Sequence, residues 1–171
     1  MNPKQAKAFK ERCDFLQKII MKLAPLYNSN QCNKKQKALM EITIGATIFY
    51  LTSSKDLYTG QISTAALKLV EEGTPPGKLV KEHRFPRKEA GINLLSKHYN
   101  QLKAKSTTLY KLATSDYCKY NLVTKEENVL LKKHQKNFRD VQTPYTEAKI
   151  VLKDKSYEEL TALSKLKKKK G

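Results

Sequence analysis

The sequence predicts a mainly α-helical fold of the α+β class. We expect a compact helical domain of about five to six helices, with a small β-hairpin or two-stranded sheet late in the chain. Apolar residues recur at steps of three and four in several segments, which is the period of a helix with one buried face. Two capping boxes, Thr124 with Glu127 and Ser156 with Glu159, mark helix starts. Strand-like alternation occurs in only two short stretches, both after residue 116.

The first predicted helix covers the N-terminal segment up to Pro25. Its apolar stripe consists of Ala6, Phe9, Cys13, Leu16, Ile20 and Leu23. These positions follow alternating steps of three and four, so one face should be buried. We expect Pro25 to end the helix, because the residue before a proline avoids helical angles. The NSNQCN stretch then predicts a loop.

Residues 39–51 are the most apolar run and the predicted centre of the core. Leu39, Ile42, Ala46 and Phe49 have helical spacing. The β-branched residues of the same run would also suit a buried strand. The helix formers just before the run favour a helix, and the strand remains the alternative.

The middle of the chain alternates turns with helices. SSKDLYTG predicts a turn, QISTAALKLVEE a short helix closed by Gly73, and TPPG a loop. A further helix should run from about Arg87 to Lys103, since Ile92, Leu95, Tyr99 and Leu102 share a face.

The late part contains the predicted strands. TTLYKLA predicts a short helix and YCKYNLV a strand, followed by the helix that Thr124 caps. QTPY predicts a turn, AKIVL a second strand, and Ser156 caps the last helix. We expect a single mainly helical domain over residues 1–164 and a flexible Lys-rich tail over 165–171.

Net charge is the strongest functional signal. The 171 residues include 34 Lys and Arg against 16 Asp and Glu, a formal charge of +18. The terminal KLKKKK supplies only five of these charges, so the rest of the chain is basic in its own right. Such a field gathers polyanions, among which nucleic acid, RNA or DNA, is the expected partner. A solubility role for the charge is the alternative.

Other functional classes lack their signatures. No apolar run reaches the roughly 18 residues of a membrane span, and the N-terminus lacks the apolar core of a signal peptide. The three cysteines contain no CxxC pair, so neither a disulfide framework nor a zinc site is expected. No P-loop, GxGxxG or GxSxG motif is present. We expect a cytoplasmic protein without a metal or cofactor.

The segment KLVKEHRFPRKEAG, residues 78–91, holds two of the four arginines. Arginine binds phosphate with a planar fork of donors that lysine lacks. The predicted phosphate-binding residues are Lys81, Arg84, Arg87 and Lys88. Arg87 and Lys88 should lie in the first turn of a helix, where free amides face an anion. The alternative is a solvated basic turn with Phe85 in the core.

A second basic cluster extends this predicted surface. It consists of Lys132, Lys133, Lys136 and Arg139, late in the helix that Thr124 caps. Simple solvated charge would explain it equally well. No recognition helix stands out, so binding should be independent of base sequence.

Two alternatives to simple nucleic-acid binding are open. In the first, the protein is a small metal-independent nuclease of the toxin or defence kind. Glu82 and His83 would be its acid–base pair, beside cations that stabilise phosphate charge. Adjacent residues rarely aim at one point, so the partner could instead be His98, His134, Tyr145 or Arg139. In the second, the protein is a basic inhibitor or adaptor that docks on an acidic protein surface.

Overall fold

The computed structural model describes residues 1–51, 54–135 and 138–168. Within these ranges the chain forms nine α-helices and one four-stranded mixed sheet. The prediction of a mainly helical chain with a small sheet is confirmed, whereas five to six helices was too low a count. Among the helices described, none has both the length and the hydropathy that crossing a membrane requires.

The helices and strands follow each other in an irregular order. The helices are α1 (Pro3–Tyr27), α2 (Lys34–Phe49), α3 (Thr64–Glu71), α4 (Arg87–Leu95), α5 (Tyr99–Ala104), α6 (Thr108–Leu112), α7 (Lys125–His134), α8 (Thr143–Glu147) and α9 (Tyr157–Lys168). The strands are β1 (Tyr58–Ser63), β2 (Val80–His83), β3 (Tyr120–Val123) and β4 (Leu152–Asp154).

The chain divides into two compact units. The helical unit comprises residues 1–57 and 85–119 and contains α1, α2, α4, α5 and α6. The sheet unit comprises residues 58–84 and those from 120 onward, with the four strands and α3, α7, α8 and α9. The expectation of a single domain over residues 1–164 stays a prediction.

Asparagine side chains start both N-terminal helices. Asn2 and Asn33 each form a capping box with the glutamine three residues later, at the starts of α1 and α2. The prediction that α1 ends before Pro25 was wrong, because the helix continues to Tyr27. Pro25 lies near the end of α1, where its missing N–H removes only one of the last hydrogen bonds.

The apolar run at residues 39–51 is helical as far as Phe49, as the favoured alternative predicted. Its buried face differs from the predicted one. Leu39 and Ile42 are 66% and 57% exposed, whereas Ile44 and Ile48 are buried. The spacing of large apolar residues therefore indicated the wrong face of α2.

Two glycines explain which face of α2 is buried. A Cβ atom on Gly45 would lie 1.8 Å from the carbonyl oxygen of Arg87, and one on Gly91 would lie 2.0 Å from that of Glu41. Helices α2 and α4 therefore touch backbone to backbone. Larger residues at these two positions would separate the helices. Gly45 and Gly91, rather than Leu39 and Ile42, therefore determine which face of α2 contacts α4.

The predicted helix from Arg87 to Lys103 is two helices. α4 ends at Leu95, and residues 96–98 form a turn before α5. Ser96 Oγ donates to the carbonyl oxygen of Ile92 at 2.6 Å, and the amide of His98 donates to that of Asn93 at 2.8 Å. A serine that bonds to the preceding turn is typical of a bent or interrupted helix.

The sheet has the strand order β2-β3-β1-β4. β3 runs parallel to β1 and antiparallel to β2, and β4 runs antiparallel to β1. The prediction of a hairpin or two-stranded sheet was wrong, because β3 and β4 both pair with β1 rather than with each other. β1 was missed because it contains Gly60, whose φ of 89° resembles a turn. β2 was missed because it is short and charged.

The later helices begin where the sequence predicts. Capping boxes form at Thr124 and Ser156, where each side chain accepts from the amide of the glutamate three residues later at 3.2 Å. Val123, Leu131 and Tyr145 form a core cluster that joins β3, α7 and α8. Of the expected tail, residues 165–168 belong to α9, and residues 169–171 lie outside the described part.

Candidate nucleic-acid interface

The predicted phosphate-binding segment crosses the boundary between the two units. Residues up to Arg84 belong to the sheet unit, and residues from Phe85 onward belong to the helical unit. Lys81 and Arg84 therefore lie at β2, whereas Arg87 and Lys88 begin α4. Each pair has its own structural surroundings.

Lys81 and His83 share one face of β2, since side chains two residues apart in a strand point the same way. The register pairs His83 with Tyr120 of β3. The His83 and Tyr120 ring centroids are 6.3 Å apart, edge to face, and Lys81 Nζ lies 5.1 Å from the Tyr120 centroid. Burial lowers the pKa of Lys81. A histidine and an ammonium group thus flank one aromatic ring.

Glu82 points to the other face of the sheet. Its side chain is only 8% exposed, and its Oε1 accepts a hydrogen bond of 2.8 Å from Nε2 of Gln135, directly after α7. The predicted acid–base partners Glu82 and His83 therefore project from opposite faces of β2. Their catalytic roles stay a prediction, but the two side chains do not aim at one point.

A chain of buried polar groups lies on the Glu82 side of the sheet. Asn121 stands opposite Glu82 in the register, and its Nδ2 donates to Oη of Tyr145 at 3.0 Å. Thr59 Oγ1 donates to Oδ1 of Asn121. Burial, followed by the negative charge of Glu82, raises the pKa of Tyr145. Of the predicted catalytic partners, Tyr145 is thus electrostatically coupled to Glu82.

The second basic cluster lies at the end of α7. Lys132 and Lys133 are exposed in the last turn, and Arg139 is exposed beyond it. Nδ1 of His134 lies 3.0 Å from Oε2 of Glu147 in α8. The predicted residue Lys136 lies outside the described residues. The bond from Gln135 to Glu82 brings this end of α7 beside β2, so that two segments distant in sequence become neighbours.

Arg87 and Lys88 make contacts with α2. The Arg87 guanidinium carbon lies 4.5 Å from the Phe49 ring centroid, and Lys88 Nζ lies 3.7 Å from Oε2 of Glu41. Both side chains remain exposed at the surface. Their predicted phosphate contacts stay predictions, beside a packing role that the sequence did not indicate.

Sequence reasoning missed Gln135 and Asn121 in this region. Neither residue belongs to a motif, and only the pairing of β2 with β3 and the end of α7 brings them to Glu82. In the described part of the chain, no three His, Cys, Asp or Glu side chains gather as a metal-ligand group.

Comparison of the chain with protein-family models, with curated proteins and with solved structures finds no match.

Proposed function

We propose that the protein binds the phosphate backbone of nucleic acid, RNA or DNA, independently of base sequence. The proposed contact surface is the β2 edge, defined as Lys81, Arg84, Lys132 and Lys133. One observation carries the proposal: the hydrogen bond from Gln135 to Glu82 joins two basic segments that the sequence analysis identified separately.

The position of β2 in the sheet supports this proposal. In the sheet formed by the described residues, β2 pairs with β3 alone and is an edge strand. Lys132 and Lys133 are exposed beside it, and Arg84 is partly exposed at its end. Glu82, the carboxylate on β2 itself, is buried and hydrogen-bonded to Gln135, and Oε2 of Glu147 lies 3.0 Å from Nδ1 of His134. The exposed charge at this edge is therefore positive, which attracts phosphate and releases counterions on binding.

The test measures how affinity depends on salt. Labelled single- and double-stranded RNA and DNA are titrated with the full chain between about 50 and 200 mM salt. The double variant Lys132→Ala/Lys133→Ala should lower the slope of log K against log salt by about two, since each phosphate contact contributes nearly one. Lys81→Ala and Arg84→Ala should each lower it by about one.

A matched control removes two charges elsewhere in the sheet unit. Lys153 lies on β4, at the opposite edge of the sheet, and Lys68 is exposed on α3. Lys68→Ala/Lys153→Ala changes the net charge equally and should leave the slope nearly unchanged. Equal slopes for the two double variants would show that only overall charge matters and would refute the β2 edge. No binding at all would favour an acidic protein partner.

A second candidate function is cleavage of the phosphodiester backbone at the same edge. The observation that favours it is the meeting of His83 and Lys81 at the Tyr120 ring. A histidine can transfer protons near neutral pH, and adjacent cations stabilise charge that develops on phosphate. In this proposal His83 is the acid–base group, and Lys81, on the same face of β2, stabilises the transition state. Glu82, on the other face, would act by anchoring β2 to the end of α7.

Cleavage is tested on the same labelled polymers, in EDTA and separately in Mg²⁺. The metal-independent proposal expects cleavage in EDTA that His83→Ala abolishes while binding is retained. Cleavage that requires Mg²⁺ would overturn the metal-independent mechanism. Intact polymer in both buffers, with a salt-sensitive shift, would reject the enzyme and leave the binding proposal standing.

A further inference from the structure

The helical unit contains a concave basic surface, separate in residues from the β2 edge. A cavity of about 700 Å³ lies between α1 and the end of α2. Lys4, Ala8 and Arg12 line it from successive turns of α1, and Tyr50 and Leu51 line it from the other side. None of these residues was predicted from the sequence to bind a ligand.

Arg12 lines this cavity and is held there by a hydrogen bond. Its Nε donates to the carbonyl oxygen of Leu51 at 2.6 Å. Among the described residues this is the only hydrogen bond of its guanidinium, whose other four N–H groups are donors for an anion. The positive charge of Arg12, close to the end of α2, opposes the partial negative charge of that helix terminus, which would otherwise disfavour an anion.

Tyr50 presents an aromatic ring beside these cations. It is 80% exposed, the largest exposed fraction among the large apolar side chains described. The adjacent Phe49 also lines the cavity and carries the Arg87 guanidinium on its ring. An exposed ring beside arginine and lysine is the arrangement on which single-stranded bases stack.

We infer that this cavity binds one nucleotide unit of a single-stranded nucleic acid. The base would stack on Tyr50, and the phosphate would bind Arg12 and Lys4. No Asp or Glu is found among the described residues that line the cavity. The carboxylate of Asp56 accepts a hydrogen bond from the lining residue Ser54, and its charge is paired with the N-terminal ammonium of Met1. The inference rests on the proposed nucleic-acid function and assigns it a second contact, one that distinguishes single from double strands.

The test uses the absence of tryptophan from the chain. Tyr50→Trp introduces a single tryptophan into the cavity, and a 12-residue oligothymidylate that stacks on it should quench the tryptophan emission saturably. Leu39→Trp is the control, because Leu39 is also exposed on α2 but lies ten residues, or roughly 15 Å, from Phe49. Its emission should not change, and a 12-base-pair duplex should quench neither variant.

Affinity measurements complete the test. Tyr50→Ala should weaken oligothymidylate binding by roughly five- to a hundredfold, the range of one base stack, and leave duplex binding unchanged. Lys4→Ala should weaken it less and reduce its salt dependence. An oligonucleotide that binds by anisotropy without quenching Tyr50→Trp would overturn the inference, as would an unchanged affinity of Tyr50→Ala.

Two further outcomes separate the possible failures. If thymidine monophosphate quenches as tightly as the oligonucleotide, the ligand is a free nucleotide and the single-strand assignment is wrong. If Tyr50→Trp is quenched while the Lys132→Ala/Lys133→Ala variant keeps its salt slope, the β2 edge fails and the cavity stands. If Tyr50→Trp is not quenched while the Lys132→Ala/Lys133→Ala variant has a lower salt slope, the cavity is rejected and the β2 edge stands.

Discussion

The backbone contact between α2 and α4 gives the sharpest stability prediction. In Gly45→Ala the new methyl carbon would lie 1.8 Å from the carbonyl oxygen of Arg87. Ordinary contact requires about 3.5 Å, so α4 must move by roughly 1.7 Å. Rotation of a side chain cannot relieve the overlap, because the overlapping atom is a backbone carbonyl oxygen.

The expected loss is about 2 kcal/mol of the free energy of unfolding. Overpacking costs up to about 3 kcal/mol in well-packed interiors, and a rigid backbone neighbour places this site at the upper end. Alanine recovers about 1 kcal/mol through its higher helix propensity. Moving α4 also disturbs the contact of Arg87 with Phe49, so the net effect remains destabilising.

Urea denaturation followed by far-ultraviolet circular dichroism measures the effect. Gly77→Ala is the control, because its nearest neighbour would be Oη of Tyr157 at 3.7 Å, an ordinary contact. Gly91→Ala should match Gly45→Ala, and the double variant should cost less than the two separate losses, since both act on one interface. Unchanged stability of Gly45→Ala, within about 0.5 kcal/mol, would refute the close approach of the helices.

Two further predictions concern buried groups. Burial raises the pKa of both Cys13 and Cys118 from 9.0 to about 12, so at pH 8 only Cys32 should react quickly with a thiol reagent, and all three should react in denaturant. Because both thiols have a higher pKa in the folded state, they contribute to the free energy of unfolding. This contribution is complete below pH 9 and is lost as the pH rises towards 12. Denaturation experiments across that pH range measure the loss. Gln135→Ala removes a donor from the buried carboxylate of Glu82 and should cost about 1.5–3 kcal/mol in the same urea assay.

Local signals predicted the helices better than the sheet. The capping boxes at Thr124 and Ser156 involve residues three apart, so the sequence contains the whole interaction. β1 and β2 depend on neighbours far along the chain: β3, which pairs with both, begins some 60 residues after β1. Strand pairing of this kind leaves little trace in a four-residue segment of mixed charge.

The error on α2 has a different physical cause. Hydrophobic periodicity predicts that the helix face with the largest apolar residues is buried. In α2 that predicted face carries Leu39 and Ile42. The buried face instead carries Gly45, whose missing side chain lets α4 approach. A pattern of hydrophobic residues cannot distinguish a glycine that permits close packing from one that merely interrupts a stripe.

At the candidate site, clusters of charge are easier to predict from the sequence than the side chains that lie together in the fold. The sequence identified residues 78–91 as one basic site, but strand alternation sends Lys81 and Glu82 to opposite faces, and the unit boundary follows Arg84. The segment therefore contributes Lys81 and Arg84 to the sheet unit, and Arg87 and Lys88 to the helical unit. Conversely, Gln135 and Glu82 are 53 residues apart and directly bonded. Charge composition predicts a class of ligand, whereas the pairings that bring particular side chains together, such as Gln135 with Glu82, exist only in the folded chain.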